Sequence, residues 1–231
     1  PVISGADILA ANLESPLTSL PSVTSGYALC APPAMAAVLD STGFDVLTLA
    51  NNHILDCGED GKQDTRENLT SRNILTIINQ QEPVLVKKHG KTFAFLALDD
   101  VSSPIQLNTA VTLVQSAASQ ADEVIVSIHW GGEYQPVPSN RQKTLANNLV
   151  QSGADVIIGH HPHVIQPEEE IRRASDGKLC LVFYSLGNAL FDQHALPDTR
   201  EGSAVTLYLN SDNKLIYTIQ HFTIDPRAGE I

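Results

Sequence analysis

Short apolar runs rich in β-branched residues alternate with longer segments bounded by helix-start and helix-end residues along this 231-residue chain. The short runs are typical of buried strands, whereas the longer segments are typical of helices. The pattern predicts strands at 7–13, 45–49, 74–78, 84–87, 92–98, 123–129, 154–158, 179–185, 204–210 and 214–223. It predicts helices at 32–41, 60–72, 111–121 and 139–151.

Local residues mark where some of these elements begin and end. Ser139 is a helix N-cap residue, and Gly43 follows a predicted helix at the position that favours a left-handed backbone. His89-Gly90 predicts a hairpin turn. The order βαβα, followed by antiparallel strands, predicts a layered α/β/β/α or α/β/α sandwich with mixed sheets. We expect residues 1–231 to form a single α/β domain.

Composition and charge narrow the possible functions. The chain has 26 acidic and 14 basic residues and a formal net charge of −12, which disfavours binding to nucleic acid. No basic patch with interleaved aromatic residues is present, so we expect no nucleic-acid partner. No apolar run approaches the roughly 18 residues of a membrane helix, and no signal-peptide pattern opens the chain. The start at Pro1, without methionine, leaves room for a missing N-terminal piece.

The cysteines predict no cross-link. Cys30, Cys57 and Cys180 are odd in number, lie far apart and form no C-x-x-C pair. This arrangement predicts neither a disulfide framework nor a zinc knuckle. Cys180 lies within the apolar run 179–183, and we expect it to be a buried small hydrophobic residue.

Three of the eight histidines fall within four residues, directly after the apolar run 156–158. Gly159 and Pro162 bend this loop, which would lie at the carboxyl end of a strand, where α/β proteins bind ligands. Neutral imidazole is the commonest protein ligand for transition metals. Any single histidine is better explained by chance, capping or packing. Three on one loop favour a metal site, formed by His160, His161 and His163.

Three other predicted strands also end in polar clusters, which converge if the strands are neighbours in parallel sheets. Glu14 follows the first strand, Asn52-His53 follows the second, and His129 ends the strand at 123–129. A carboxylate, an amide and imidazoles suit manganese, iron, zinc or cobalt better than calcium or magnesium alone. Two such ions a few Å apart would clamp a phosphate and generate a hydroxide nucleophile near neutral pH.

Linked motifs in this order resemble a known family. They are Asn51-Asn52-His53 with Asp56 and Gly58, His129-Trp130-Gly131 with Glu133-Tyr134, Gly153-Ala154-Asp155, and the segments 159–164, 184–188 and 191–193. An acidic motif, an Asn-His pair, a lone histidine and a glycine-histidine loop are similar to those of the calcineurin-like metallophosphatase superfamily. More narrowly, residues 7–224 resemble the bacterial capsule-synthesis CapA/PgsA family.

The resemblance implies a metallo-dependent phosphatase-like fold, specifically the layered α/β/β/α sandwich, with one or two divalent ions (Mn, Fe or Zn) as cofactors. It implies a role in making or exporting poly-gamma-glutamate capsule at the cell envelope, with the capsule synthesis machinery or polyglutamate as partner. Two functions stay open. One is phosphoesterase-type hydrolysis of a small anionic or phosphorylated substrate, and the other is a non-catalytic accessory or scaffolding role.

The resemblance also assigns roles to residues. Asn52 would hold a metal ion or a phosphate oxygen, and His53 would polarise the leaving group. Metal ligands would be His129 and two of the clustered histidines, His160, His161 and His163. The H-x-H spacing favours the last two, whereas Gly159 before His160 resembles a G-H motif, so the choice stays open.

Other assignments carry an alternative. Glu14 would take the place of the superfamily's bridging aspartate, or would be a structural residue that closes a strand end. Asn188 and Asp192 would line the pocket, and turn formation is the alternative for Asn188.

One departure from the family pattern concerns the start of the chain. Family members usually begin with a strand that carries a Gly-Asp motif, and nothing before Asp7 matches it. Either the natural N-terminal strand is missing or one metal site has been lost. A missing central strand predicts an exposed sheet edge or an apolar groove next to Ile8 and Leu47.

Overall fold

Strands and helices alternate along most of the computed structural model, which describes residues 5–191, 196–210 and 214–225. The helices are α1 Met35–Thr42, α2 Gly58–Thr70, α3 Leu107–Ala118 and α4 Asn140–Ser152, with a short 3-10 helix at Pro197–Arg200. The strands are β1 Ala10–Asn12, β2 Val46–Thr48, β3 Leu75–Ile77, β4 Val84–Lys88, β5 Lys91–Asp99, β6 Glu123–His129, β7 Val156–His160, β8 Ile165–Arg172, β9 Leu179–Leu186, β10 Glu201–Leu209 and β11 Leu215–Thr223.

Two helix ends show the local chemistry that the sequence predicts. At the start of α4, the Ser139 hydroxyl accepts the Gln142 N–H, and the Gln142 side chain accepts the Ser139 N–H at 2.8 Å. These reciprocal bonds satisfy two of the N–H groups that a helix start leaves unpaired. Helix α1 ends at Gly43, whose φ of 90° lies in the left-handed region, where glycine meets no steric cost.

The strands form three sheets. Strands β1, β2 and β3 make a parallel sheet in that order, and β10 pairs with β11 as an antiparallel hairpin. The other six strands form a mixed sheet in the order β4-β5-β6-β7-β9-β8. Within it β5, β6, β7 and β9 are parallel, and the edge strands β4 and β8 are antiparallel to their neighbours.

The layers follow from which face each sheet buries. Helices α3 and α4 cover one face of the six-stranded sheet, and the β1–β3 sheet and the β10–β11 hairpin cover the other. Helices α1 and α2 then cover the outer face of the β1–β3 sheet. The result is the predicted α/β/β/α sandwich, with the sheet-to-sheet core around Val46, Ile77, Phe95 and Ala97.

Strand β8 has no counterpart among the predicted strands. Its sequence contains Pro167 and three consecutive glutamates, which are depleted in strands. The structure accommodates them because β8 is an edge strand, where proline and exposed charges are tolerated. Glu169 also accepts a hydrogen bond from the Tyr184 hydroxyl of β9 at 2.8 Å.

The prediction that no disulfide forms is wrong. Cys30 and Cys57 are joined, because the fold brings the chain before α1 against the start of α2. An odd cysteine count does not exclude one bridge beside one free thiol. The remaining cysteine, Cys180, is fully buried, as predicted.

Strand β1 lies at an edge of its three-stranded sheet, within the described part of the chain. Ile8 packs against the core between the two sheets. Leu47 lies on the central strand β2 and is 1 % exposed. No apolar groove therefore opens at Leu47 itself.

A buried ion network ties together β6, β7 and the turn between β8 and β9. Arg173 donates to Asp155 at 2.7 Å, and Lys178 lies 2.9 Å from the same carboxylate. Lys178 also donates to Glu123 at 2.8 Å. Burial raises the pKa of Glu123 despite this partner. Removal of one member would leave a buried charge without its partner, so the network stabilises the sheet only while it is intact.

Candidate metal centre

The parallel strands of the two stacked sheets place the ends of β1 and β6 against each other. Glu14, two residues after β1, lies with Oε1 3.3 Å from Nε2 of His129, the last residue of β6. A hydrogen bond between Thr48 of β2 and Ser127 of β6, at 3.0 Å, joins the two sheets just below this contact. The carboxyl ends of strands from both sheets therefore share one site, as such ends do in other α/β proteins.

Glu14, His161 and His163 each offer a ligand atom, and these atoms lie within 4.8 Å of one another. Glu14 Oε1 is 3.7 Å from Nε2 of His163. The ring centroids of His129 and His161 are 4.9 Å apart. A carboxylate and imidazoles at these separations could hold a metal ion of the transition series after small side-chain adjustments.

Several polar atoms of the site are buried and have no hydrogen-bond partner among the described residues. They are Glu14 Oε1, both ring nitrogens of His129, Nδ1 of His161 and Oδ1 of Asn52. Buried polar atoms are almost always paired, and each unpaired atom costs about 1–3 kcal/mol. Unpaired oxygen and nitrogen atoms gathered in one place fit a divalent cation, which would coordinate the Glu14 carboxylate and one ring nitrogen of each histidine.

The protonation states also suit metal coordination. Burial by itself raises the pKa of Glu14, but the neighbouring imidazoles of His129, His163 and His53 lower it by more than burial raises it, so the pKa is about 2. Burial, reinforced by repulsion from His129, lowers the pKa of His161 to about 4. Near neutral pH the carboxylate is ionised and the imidazole is neutral, which are the forms that bind metal.

The histidine loop has an unusual backbone. His161 has a φ of 94° and His163 a φ of 58°, in a region that residues with a Cβ rarely adopt. Such strain persists only where the surrounding structure imposes it, and it is common at functional sites. Here the strained backbone turns the two imidazoles toward Glu14.

Gly159 is required by the packing beneath this loop. A Cβ at this position would lie 2.0 Å from the Tyr184 carbonyl oxygen and 2.3 Å from the Trp130 indole nitrogen. These two groups hydrogen-bond to each other at 2.8 Å, and this bond links β6 to β9 across β7. The glycine before the histidines therefore serves the close approach of three strands, rather than coordination by His160.

His160 is paired in register with His129 at the ends of β7 and β6. Burial, followed by repulsion from His129, lowers its pKa to about 3. The cluster of candidate ligand atoms found among the described residues contains His161 and His163, but not His160. The geometry thus favours the H-x-H pair.

The side chain of Asn188, two residues after β9, orients the ring of His163. Its Nδ1 donates to Asn188 Oδ1 at 2.9 Å, so the neutral ring presents the lone pair of Nε2, 3.7 Å from Glu14 Oε1, to a metal ion. Asn188 in turn donates to the Thr199 carbonyl at 2.8 Å, and Phe191 stacks on the His163 ring at 5.0 Å. Asn188 therefore supports a candidate ligand, while Asp192 lies outside the described residues.

His53 follows β2 and is held by Asp56. Its Nδ1 donates to Asp56 Oδ2 at 2.7 Å, which leaves Nε2 available to the site. Asn51 accepts the His53 N–H at 3.2 Å and donates to the Leu13 carbonyl at 2.9 Å, so it ties this loop to the end of β1. Asn52, between them, has the unpaired buried oxygen described above.

Sequence reasoning assigned no role to Asp56 or to Asp99. Asp99 ends β5 and pairs in register with His129, but its carboxylate already accepts the N–H groups of Val101 and Ser102 at 2.8 and 3.1 Å. It contributes negative charge to the site, but the cluster of candidate ligand atoms among the described residues does not include it. Asp99 could have been found by its position directly after an apolar run, and Asp56 by its spacing from His53.

The sequence matches a family model described as "Bacterial capsule synthesis protein PGA_cap" over residues 1–193. The chain belongs to this family. It is 31 % identical over 235 residues to "PGA biosynthesis protein CapA" of Bacillus subtilis (strain 168), covering 92 % of this chain and 60 % of that protein. It is 30 % identical over 247 residues to "Capsule biosynthesis protein CapA" of Bacillus anthracis, covering 95 % and 58 %.

A more distant family relative is "Probable polyglutamine synthesis accessory protein" of Mycobacterium tuberculosis. It is 24 % identical over 260 residues, which cover 99 % of this chain and 64 % of that protein. The chain thus spans about 60 % of the length of the two Bacillus relatives. None of the described helices is long and apolar enough to cross a membrane.

Two solved structures share the fold. A hypothetical protein from Thermus thermophilus has a TM-score of 0.65 at 14 % identity, covering 95 % of this chain and 89 % of that chain. A Staphylococcus aureus protein described as a "Putative 5'-Nucleotidase", in complex with alpha-ketoglutarate, has a TM-score of 0.56 at 15 % identity. That match covers 83 % of this chain and 40 % of the other. The likeness agrees with the metallophosphatase-like architecture.

Proposed function

We propose that this chain is a metal-dependent, phosphoesterase-type hydrolase domain that acts in poly-gamma-glutamate capsule biosynthesis at the cell envelope. Its substrate is a small anionic or phosphorylated compound, and its partners are the capsule machinery or polyglutamate. The observation that carries the proposal is the group of buried atoms around Glu14, in which Glu14 Oε1, the ring nitrogens of His129 and Nδ1 of His161 have no hydrogen-bond partner among the described residues. Family membership supports the capsule setting.

The residues would divide into metal-holding and proton-handling groups. Glu14, His161 and His163 would hold the first ion, and His129 and Asn52 would extend the set toward a second. A bound Mn, Fe or Zn ion would supply a Lewis acid and a water acidified toward neutral pH. Asn188 keeps Nε2 of His163 deprotonated by accepting its Nδ1–H.

His53 is the group placed to handle the leaving oxygen. Asp56 accepts its Nδ1–H at 2.7 Å, so the ring presents Nε2 to the site. Held in this orientation and protonated at both ring nitrogens, His53 would donate its Nε2 proton to the leaving oxygen of the substrate and would be left as the neutral Nδ1–H form. The side chain is 16 % exposed, which leaves it accessible to a substrate, whereas the rings of His129 and His163 are 1 % and 7 % exposed.

A non-catalytic accessory role is the second candidate. It is supported by the description of the mycobacterial relative as an accessory protein. It is also supported by the donor set, since the cluster of candidate ligands among the described residues contains one carboxylate, Glu14. In that role the domain would bind metal and use the site as a docking surface.

The deciding experiment measures metal content and hydrolysis on the same protein. Protein purified without chelator is assayed for bound metal, and then for hydrolysis of bis(p-nitrophenyl) phosphate with added manganese. We expect Glu14→Gln and His163→Ala to lose more than about tenfold in manganese affinity and most activity. His89→Ala is the matched control, because this histidine pairs with Asp7 on the exposed surface.

The outcomes separate the two candidates. Metal binding with hydrolysis that both site variants abolish supports the enzyme. Metal binding without hydrolysis of any tested phosphoester favours the accessory role. Absence of metal binding in the wild-type protein refutes the metal-dependent function.

A further inference from the structure

One carboxylate oxygen of Asp56 holds two groups. Oδ2 accepts the Nδ1–H of His53 at 2.7 Å and the backbone N–H of Leu29 at 2.8 Å. Asp56 is 4 % exposed, so bulk water competes little for these bonds. The orientation of the His53 ring therefore depends on where the backbone at Leu29 lies.

The segment that precedes Leu29 has little packing of its own, whereas the Leu29 carbonyl accepts the Ser15 hydroxyl. Residues 19–27 are exposed and form neither helix nor strand. The base of the segment is held where Thr18 donates its N–H to the Ala31 carbonyl at 3.0 Å, and its middle is held where the Val23 N–H donates to the Asp56 carbonyl at 2.8 Å. A segment with exposed hydrogen bonds and few buried apolar contacts opens locally at small cost.

A disulfide joins the chain just after this segment to Cys57, the residue before α2, beside the two hydrogen-bonded groups. Cys30 follows Leu29, Cys57 follows Asp56, and the two sulfurs are bonded. The covalent link therefore limits how far the Leu29 backbone can move from the Asp56 carboxylate. We propose that the Cys30–Cys57 disulfide is a positioning element for His53, so that the thiol redox state of this pair controls turnover at the site.

Reduction requires a dithiol as co-reactant. Cys57 is 2 % exposed, whereas Cys30 is partly exposed, so a dithiol thiolate attacks the Cys30 sulfur. The disulfide bond breaks, and Cys57 leaves as a thiolate that takes up a proton. The second dithiol sulfur then attacks the mixed disulfide and releases Cys30 as a thiol. Two electrons and two protons pass to the protein, and the dithiol becomes a cyclic disulfide.

The candidate ligands of the first ion, Glu14, His161 and His163, lie outside residues 30–57, which the disulfide closes, whereas Asn52 lies within them. Glu14 follows β1, and His161 and His163 follow β7 in the middle of the six-stranded sheet. Reduction should therefore loosen His53 while the first ion stays bound. This separation distinguishes a positioning role from general destabilisation.

The kinetic test rests on the proposed hydrolytic function. Manganese-loaded wild-type protein is assayed with bis(p-nitrophenyl) phosphate before and after treatment with dithiothreitol, below its melting temperature. We expect kcat to fall several-fold, with KM and the calorimetric manganese affinity unchanged. Asp56→Asn should lower kcat by about 10- to 100-fold. The Cys30→Ala/Cys57→Ala pair should show the lowered kcat without reductant and no further response to it.

Cys180→Ala is the matched control, because Cys180 is a free, buried thiol away from the site. It should respond to dithiothreitol as the wild type does. A second readout needs no catalysis. The Leu29 amide and the His53 Nδ1 proton, followed by NMR, should exchange with solvent faster in the reduced protein than in the oxidised protein.

The two proposals fail in different ways. If oxidised protein hydrolyses no phosphoester, the proposed function fails, and the exchange measurement alone decides the role of the disulfide. Unchanged exchange at Leu29 and His53 after reduction would overturn the positioning role. So would a fall in manganese affinity parallel to the fall in kcat, because it would indicate loosening of the whole site.

Discussion

The strained backbone at His161 predicts an inverted order of stability for two substitutions. Its φ is 94°, a left-handed conformation that costs a residue with a Cβ about 1–2 kcal/mol. His161→Ala and His161→Gly both delete the imidazole, but only glycine removes the strain. Glycine loses about 0.5–1 kcal/mol through its greater freedom in the unfolded chain. We therefore expect His161→Gly to be the more stable of the two by about 0.5–1 kcal/mol.

His160 provides the matched comparison. It is the last residue of β7 and is not among the described residues with positive φ. At His160 there is no positive-φ strain for glycine to relieve. His160→Gly should therefore be less stable than His160→Ala by about 0.5–1 kcal/mol. Two adjacent histidines should thus show opposite signs.

Urea denaturation followed by circular dichroism checks this, with chelator present so that metal binding does not contribute. The free energies of unfolding are compared between variants with equal m-values. The reasoning would be refuted if His161→Gly were no more stable than His161→Ala, or if both positions gave the same order.

Three other outcomes follow from the structure. The folded pKa of His161, about 4, lies below its unfolded value of 6.5. Its contribution to stability is therefore present above pH 6.5 and is lost as pH falls toward 4. Urea midpoints measured with chelator present should fall over this pH range, and should fall less steeply in His161→Ala. Gly159→Ala should lower the free energy of unfolding by at least about 2 kcal/mol, because its Cβ would lie 2.0 Å from a β9 carbonyl oxygen. The control Gly132→Ala should change it by no more than about 0.5 kcal/mol, and similar losses for both variants would contradict the packing argument. Arg173→Met should lower the free energy of unfolding by about 3 kcal/mol, since it removes a partner of buried Asp155. A thermal midpoint within about 1–2 °C of wild type would contradict this and would show that the remaining partners of Asp155 compensate.

Local chemistry made much of the fold predictable from the sequence. The bounds of β6 coincide with the predicted strand at 123–129, and α4 begins at its predicted cap, Ser139. Both depend on residues within a few positions of each other. Strand β8 was missed for the same reason, because its proline and glutamates are unfavourable locally and only an edge position in the sheet tolerates them.

The chemistry of the site was visible as residue types at strand ends. Glu14, His129 and the histidine loop were all candidates, because polar residues directly after apolar runs lie where ligands bind. The sequence could not choose between His160 and its neighbours. The choice depends on the positive φ of His161 and His163, and on the position of Glu14 from a different sheet.

The sequence by itself determined the alternation of strands and helices, the metal-suited residue types and the motifs of the family. Only the tertiary structure decided which of these residues meet. It pairs Asp56 with both His53 and Leu29, joins Cys30 to Cys57, and turns two of the clustered imidazoles toward Glu14. These contacts join residues from separate elements, and their geometry is set by the packing of two sheets, which no local pattern encodes.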